Sequence, residues 1–328
     1  MVKRKPSKAK NFFKWLLIVL VALIALGFIY EQASEYIDTK ILKAPGQMVQ
    51  VGDHKMHIYC TGENINGSTT VILEAGGGDN YTSWHRVQPD ISQYTKVCSY
   101  DRSGLGFSEG TKDLRTNDDV VVELENLLKN ADVNGPYILV GHSTGGFYTR
   151  LFTERNISDT KGLIQIDPSV EQMVSFDEGA TPLISQVQGG VIEFLFRIGV
   201  ARTVMHLDPK IANIDSDIAN IEIAFKSTMF RNKNKYPDGY KTFDNIQEIK
   251  SASNYGTLPV IVFSADQSEQ QAIASFGQDA VNWHSDLAKK LSNNSQYIMV
   301  QNSSHYIQQD QPQIVIDSIV KLLNSPTY

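Results

Sequence analysis

Cysteine is scarce in this chain, with two residues, Cys60 and Cys98, among 328. Neither a Cys-x-x-Cys nor a His-Glu-x-x-His spacing occurs and the seven histidines are scattered, so no metal site is indicated. Internal repeats and low-complexity runs are also missing, which removes solenoid and fibrous architectures. Acidic residues are absent from the first thirty positions, which carry six basic ones: Lys3, Arg4, Lys5, Lys8, Lys10 and Lys14. The rest of the chain therefore holds 24 basic against 36 acidic residues, a balance that disfavours a nucleic-acid partner. The composition, 41% hydrophobic and 20% charged, is otherwise that of an ordinary globular protein.

Long apolar runs are lacking except for one. Trp15 to Tyr30 is unbroken by charge, and Phe12 and Phe13 extend it beyond Lys14. That approaches the roughly 20 residues needed to cross a bilayer core. Trp15 and Tyr30 suit the two interfaces, and the basic leader is expected to stay cytoplasmic. A cleaved signal peptide is the alternative, with Ala25-Leu26-Gly27 as a weak cleavage site, but the run is long and no Ala-x-Ala follows. The expected organisation is a leader at 1–11, a transmembrane anchor at 12–30, a polar stalk at 31–45 and a main domain at 46–328. Localisation is expected at the cell membrane, single-pass, with the main domain outside the cytosol.

Within the main domain, apolar runs at Thr70–Glu74, Lys96–Tyr100, Tyr137–Val140, Gly162–Ile166, Pro259–Phe263 and Tyr297–Val300 read as strands. Gln47 to Cys60 alternates around Val51-Gly52-Asp53 and predicts a hairpin. Helical spacing appears over Asp118–Ala131 and Gln311–Leu323. Strands alternating with helices predict an α/β fold with a mostly parallel sheet covered on both faces. Asn64–Ser68 and Asn232–Gly239 read as loops. Between about 170 and 256 the alternation stops, and helical patterns at Gly190–Leu207 and Ile214–Phe230 predict an inserted helical cap. The first is apolar nearly all round through Val191, Ile192, Phe194, Leu195, Phe196, Ile198 and Val200, and burial against the main domain is preferred for it over a lining for an apolar substrate or contact with the membrane surface.

One pentapeptide carries chemistry. Gly141-His142-Ser143-Thr144-Gly145 follows the strand Tyr137–Val140 and precedes a helical stretch. A serine in such a strand–turn–helix context is held in a strained conformation with its hydroxyl projecting above the sheet. The flanking glycines avoid collisions across the turn, and the backbone N–H of Thr144 points at developing negative charge. A serine nucleophile needs a base, and His305 lies in a strand-to-helix loop after Tyr297–Val300, where an open parallel sheet places functional groups. Gly76-Gly77-Gly78 follows a strand and supplies unhindered N–H groups, Gly77 being the expected partner of Thr144 in an oxyanion hole. The Lys-Ser/Thr ending of a phosphate loop is absent.

Together Leu73–Gly78, Tyr100–Ser108, Gly141–Gly146, Ser304–Tyr306 and Asp310–Pro312 resemble, in order, the motifs of the α/β-hydrolase family. The likeness is to its membrane-anchored, esterase-like branch with a helical cap, and it covers roughly residues 47 to 325. It implies a serine hydrolase of carboxylic esters, a small-molecule acyl substrate, an acyl-enzyme intermediate and no cofactor. Asp101 and Arg102 then belong to a structural turn. The strands bearing Cys60 and Cys98 would lie side by side, which makes a disulfide the expectation over two buried free thiols.

The acid of the triad departs from the common family pattern. The usual turn after Pro259–Phe263 reads Ser264-Ala265-Asp266-Gln267-Ser268-Glu269 here, with Asp266 early and Glu269 late. Asp167, which ends Leu163–Ile166 and stands 24 residues past Ser143, resembles the arrangement of some lipases and dehalogenases. Asp167 is preferred, and Asp266 stays open. Epoxide hydrolases and dehalogenases of this fold use an aspartate nucleophile, which Ser143 argues against. The rivals are a proline-releasing aminopeptidase, for which Asp208, Asp215 and Asp217 could bind a substrate amine, and a non-catalytic binding module.

Overall fold

A computed structural model describes residues 8–64, 69–111, 115–174, 182–228 and 254–325. The described residues fall into two compact units, one of Met1–Lys43 with Thr181–Asn232 and one of Ala44–Ala180 with Lys233–Tyr328.

The larger unit is built on one sheet of eight strands among the described residues: β1 Gln47–Val51, β2 His54–Thr61, β3 Thr70–Glu74, β4 Val97–Tyr100, β5 Tyr137–His142, β6 Thr160–Ile166, β7 Val260–Ala265 and β8 Ser295–Val300. Their order is β1-β2-β4-β3-β5-β6-β7-β8. The hairpin pairs antiparallel, as do β2 and β4, and every pairing from β4 to β8 is parallel. The α/β expectation is met. Cys60 faces Cys98 across β2 and β4, and their sulfurs are bonded.

Alternation along the strands explains the two hydrophobic layers. Ile72, Leu139, Val260 and Val262 point to one face of the sheet, where they meet Val121, Leu124, Leu127 and Leu128. Those leucines and valines come from α2 (Asn117–Asn130), whose start is fixed by a capping box between Thr116 and Asp119. Val71, Leu73, Ile138, Val140, Ile261 and Phe263 point to the other face and meet Val315, Ile316, Ile319 and Leu322 of the closing helix. Each such side chain stabilises the fold by about 1.5–3 kcal/mol on burial.

The smaller unit contains α1 (Lys8–Ile41), which is 34 residues long and crosses the anchor without interruption. It also runs through most of the segment that reads as a stalk. The unit further holds α4 (Pro182–Arg197), α5 (Val200–His206) and α6 (Ser216–Thr228); α3 is Gly145–Arg155 in the larger unit. The single helix expected over Gly190–Leu207 is two, because Gly199 adopts φ 72°, a left-handed conformation that ends one helix and starts the next. Of the apolar side chains expected to be buried, Phe196 and Ile198 are half-buried. Val191, Ile192, Phe194, Leu195 and Val200 are all exposed. The loop at Asn232–Gly239 lies outside the described residues, as does most of the loop at Asn64–Ser68.

Candidate active site

β5 occupies the middle of the sheet and delivers Ser143 at its carboxyl end. Ser143 has φ 52°, a left-handed conformation uncommon for a residue with a side chain. The turn is held on three sides. The Ser143 N–H donates to the Ile166 carbonyl at 3.0 Å, and its own carbonyl accepts from Gly146 at 2.9 Å and Ser169 at 3.0 Å. The glycines are needed as the sequence implied: a Cβ at Gly141 would lie 2.4 Å from Thr149 Oγ1, and one at Gly145 would lie 2.5 Å from the Ala75 carbonyl oxygen. Thr144 caps α3, so the backbone at this position meets the helix N-terminus. Gly77 stands against it, with a Cβ there falling 3.1 Å from Thr144 Oγ1.

The glycine loop is fixed from below by Arg102. Its guanidinium donates to the carbonyls of Ala75 and Gly76, each at 2.7 Å, and forms a buried ion pair with Glu74. Glu74 also accepts from Tyr100 Oη. Burial, reinforced by the Glu74 charge, pushes the Tyr100 phenol up, so it stays a donor. The neighbouring Asp101 accepts from the backbone N–H of Tyr81 at 2.7 Å and of Phe107 at 2.9 Å, and pairs with His57.

His305 and Asp167 come together across 138 positions. His305 Nδ1 lies 2.6 Å from Asp167 Oδ2, and Asp167 Oδ1 accepts from the Ala265 N–H at 3.0 Å. Asp167 also sits in the left-handed region, at φ 41°, immediately after β6. Burial alone would raise its pKa. The hydrogen bond from His305, the neighbouring His284 and His305 once protonated, and the Ala265 N–H outweigh that and hold the carboxyl below the usual carboxylate range. Asp266 is engaged elsewhere. It opens the helix Asp266–Phe276, and its oxygens accept from Asn302 N–H at 3.0 Å and Ser303 N–H at 3.1 Å, holding the loop that leads to His305.

Two further histidines surround the pair, and nothing in the sequence singles them out. His142 is buried, its Nε2 lies 2.9 Å from the His305 carbonyl, and the two rings are 4.6 Å apart. A carbonyl only accepts, so Nε2 carries the proton. Gly76 makes room for it, since a Cβ there would lie 2.7 Å from His142 Nδ1. His284 lies on the helix Trp283–Leu291, with Nε2 at 2.8 Å from the Pro168 carbonyl and Nδ1 at 2.8 Å from Ser264 Oγ. Burial is the main cause of its lowered pKa, so the ring is neutral and donates from Nε2. Asp167, His305, His284, Ser264, Trp283 and Glu269 line a cavity of about 350 Å³. Burial and the Asp167 charge raise the Glu269 carboxyl. Among the described residues no cluster of three or more His, Cys, Asp or Glu could hold a metal ion.

A strand, a strained serine and a helix in this topology bear directly on ancestry, and a family model described as the alpha/beta hydrolase fold matches residues 69–312. The chain belongs to the α/β-hydrolase fold family. Among its relatives is the uncharacterized protein YqjL of Bacillus subtilis, 29% identical over 251 residues that cover 76% of this chain and 81% of YqjL. The carboxylesterase CesB of Bacillus subtilis superposes with a TM-score of 0.61 at 15% identity, over 91% of this chain and 98% of CesB. Epoxide hydrolase A of Mycobacterium thermoresistibile gives a TM-score of 0.62 at 14% identity, over 85% of this chain and 98% of the enzyme. At such identities the two structures speak for the fold of this α/β-hydrolase family member and for nothing finer.

Proposed function

We propose that this chain is a serine hydrolase acting on carboxylic esters, with Ser143 as nucleophile, His305 as base and Asp167 as acid. The observation that carries the reading is the 2.6 Å contact of His305 Nδ1 with Asp167 Oδ2, in the same unit as a serine held at φ 52°. In the proposed reaction Ser143 Oγ attacks the ester carbonyl while its proton passes to His305 Nε2. Asp167 accepts from His305 Nδ1–H throughout, which fixes the tautomer and stabilises the imidazolium. The backbone N–H groups of Gly77 and Thr144 receive the oxyanion. Collapse of the adduct transfers the His305 proton to the departing alkoxide and leaves an acylated Ser143. Water, giving a proton to His305, then releases the carboxylic acid. The serine in place of an aspartate favours this reading over epoxide opening.

The second part of the proposal is placement. α1 is long and apolar enough to cross a membrane, and the window that qualifies it has none of its residues buried. The six basic residues before and within its first two turns favour a cytoplasmic leader and an extracytoplasmic larger unit. The Cys60–Cys98 disulfide supports an oxidising compartment.

The test is a rate panel on nitrophenyl esters of increasing acyl length, using the full chain in detergent micelles. Ser143→Ala is expected to lower kcat by about 10³ to 10⁶. Equal turnover by wild type and Ser143→Ala would sink the assignment, and no turnover by either would move weight to amide substrates or a binding role.

A further inference from the structure

Along α4 and α5 the smaller unit buries a charged side chain and exposes apolar ones. Arg202 on α5 is 3% exposed and forks onto Glu31 of α1, which is fully buried, with Nε to Oε2 at 3.0 Å and Nη2 to Oε1 at 3.1 Å. Its Nη1 also lies 2.9 Å from Asp38 Oδ2. The opposite side of α5 presents Val200, Val204 and Leu207, spaced as one helical stripe, and Leu207 is 76% exposed. On α4 the exposed Val191, Ile192, Phe194 and Leu195 fill one side, while Glu193 and Arg197 form an ion pair one turn apart on the other. In water this arrangement is inverted, because contiguous apolar surface on a soluble protein signals a partner.

The partner's chemistry follows from where the patch joins α1. Gly27 packs against the end of α4 so closely that a Cβ would lie 2.5 Å from the Ile198 carbonyl oxygen. Gly199, between α4 and α5, meets the Tyr30 ring in the same way, with a Cβ falling 2.9 Å from Tyr30 Cδ1. Gly27 and Tyr30 end the apolar run and are separated by about 4.5 Å along the helix axis. If α1 spans, the α4–α5 junction is at the depth where hydrocarbon gives way to headgroups. The exposed apolar surface also continues along α1 through Tyr36, Ile37 and Ile41.

We infer that α4 and α5 lie in the headgroup–acyl boundary of the bilayer that α1 crosses, with Val191, Phe194, Leu195, Val204 and Leu207 seated among lipid chains. The unit is then a span with an interfacial collar, clamped together by the Glu31–Arg202 pair. Helices of this kind bury their apolar face about 5–10 Å into the boundary. The inference rests on reading α1 as a membrane span and is independent of the ester chemistry.

The test uses the full chain reconstituted in phosphatidylcholine vesicles, with and without lipids brominated on the acyl chain near the headgroup. Phe194→Trp is made in a Trp15→Phe background, and the emission at that position is taken as the difference from this parent. Brominated lipid is expected to lower the difference emission of Phe194→Trp about twofold, while aqueous iodide leaves it nearly unchanged. Leu207→Trp repeats the measurement beside α5 in case the exchange at Phe194 disturbs α4. Iodide quenching without bromine quenching in these variants overturns the inference. Protection from both quenchers overturns it too, in favour of a protein surface covering the patch. The emission of Trp15 itself, read as the difference between the unaltered chain and Trp15→Phe, tells the failures apart: bromine quenching there leaves the span standing, and its absence removes both.

Discussion

Replacing Asp167 by Asn separates the two candidate acids. The exchange keeps shape and volume at a position 3% exposed, and the new Oδ1 can still accept from Ala265 N–H at the 3.0 Å separation seen for the carboxylate. The other terminus becomes an NH₂ facing His305 Nδ1, where an acceptor stood at 2.6 Å. His305 must then turn its Nδ1 lone pair to the amide and carry its proton on Nε2, the nitrogen that has to accept from Ser143. The wrong tautomer and the loss of a charge beside the imidazolium cost about 10⁴ in kcat, or about 5 kcal/mol of transition-state stabilisation. Asp266→Asn removes a carboxylate that accepts from Asn302 and Ser303, so it loosens the His305 loop without touching the ring. Its kcat/KM is expected to stay within about tenfold of wild type. The assay is kcat/KM for nitrophenyl butyrate across the neutral pH range, on the full chain in micelles. If Asp167→Asn kept a tenth of the wild-type rate while Asp266→Asn lost three decades, the proposed pairing would be wrong.

Four further outcomes follow from the same geometry. His284 is neutral in the fold with its pKa lowered below the ordinary 6.5, so the unfolded chain binds the extra proton and stability falls as pH drops below about 6.5. His284→Gln, which can keep both hydrogen bonds, is expected to flatten that part of a melting-temperature profile between pH 7 and about 5. Asp167 works in the same direction at lower pH: its depressed pKa contributes stability above the ordinary carboxylate value that is lost as pH falls through the folded value. Arg102→Ala strands Glu74 in the interior and frees the carbonyls of Ala75 and Gly76, at about 3–5 kcal/mol in denaturant unfolding and with a lower kcat. The double exchange Cys60→Ala, Cys98→Ala opens a loop of 38 residues and is expected to cost about 4 kcal/mol, read by chemical denaturation against the oxidised wild type.

What is legible in the sequence is local. Gly141 and Gly145 can be assigned from a turn's steric needs, and the collisions a Cβ would meet there are the ones expected. Strand alternation names the core because each strand residue chooses one of two faces. The acid is harder, since Asp167 and Asp266 both follow strands and only the reach of each loop decides which meets His305. His284 and His142 carry no signal at all: their partners are backbone carbonyls of Pro168 and His305, and a carbonyl has no sequence identity. The apolar circumference of Gly190–Leu207 reads as core because composition cannot tell a protein interior from a lipid one. Glu31 opens a segment with the composition of a polar stalk, and its buried role depends on an arginine far along the chain.

That distance has a consequence for biosynthesis. Glu31 and Arg202 are 171 positions apart, so the ribosome finishes one long before it makes the other. At about 5–20 residues per second the carboxylate waits roughly 10–30 s for its guanidinium. During that interval α1 is already made while its clamp is missing, and the larger unit's first six strands are made before the helices that close the smaller one. Assembly of the smaller unit is therefore a late event that rejoins the chain's beginning to its middle. A soluble form begun after Tyr30 would keep Asp38 but lose Gly27 and Tyr30, and one begun at the sheet would leave Arg202 without either of its carboxylates.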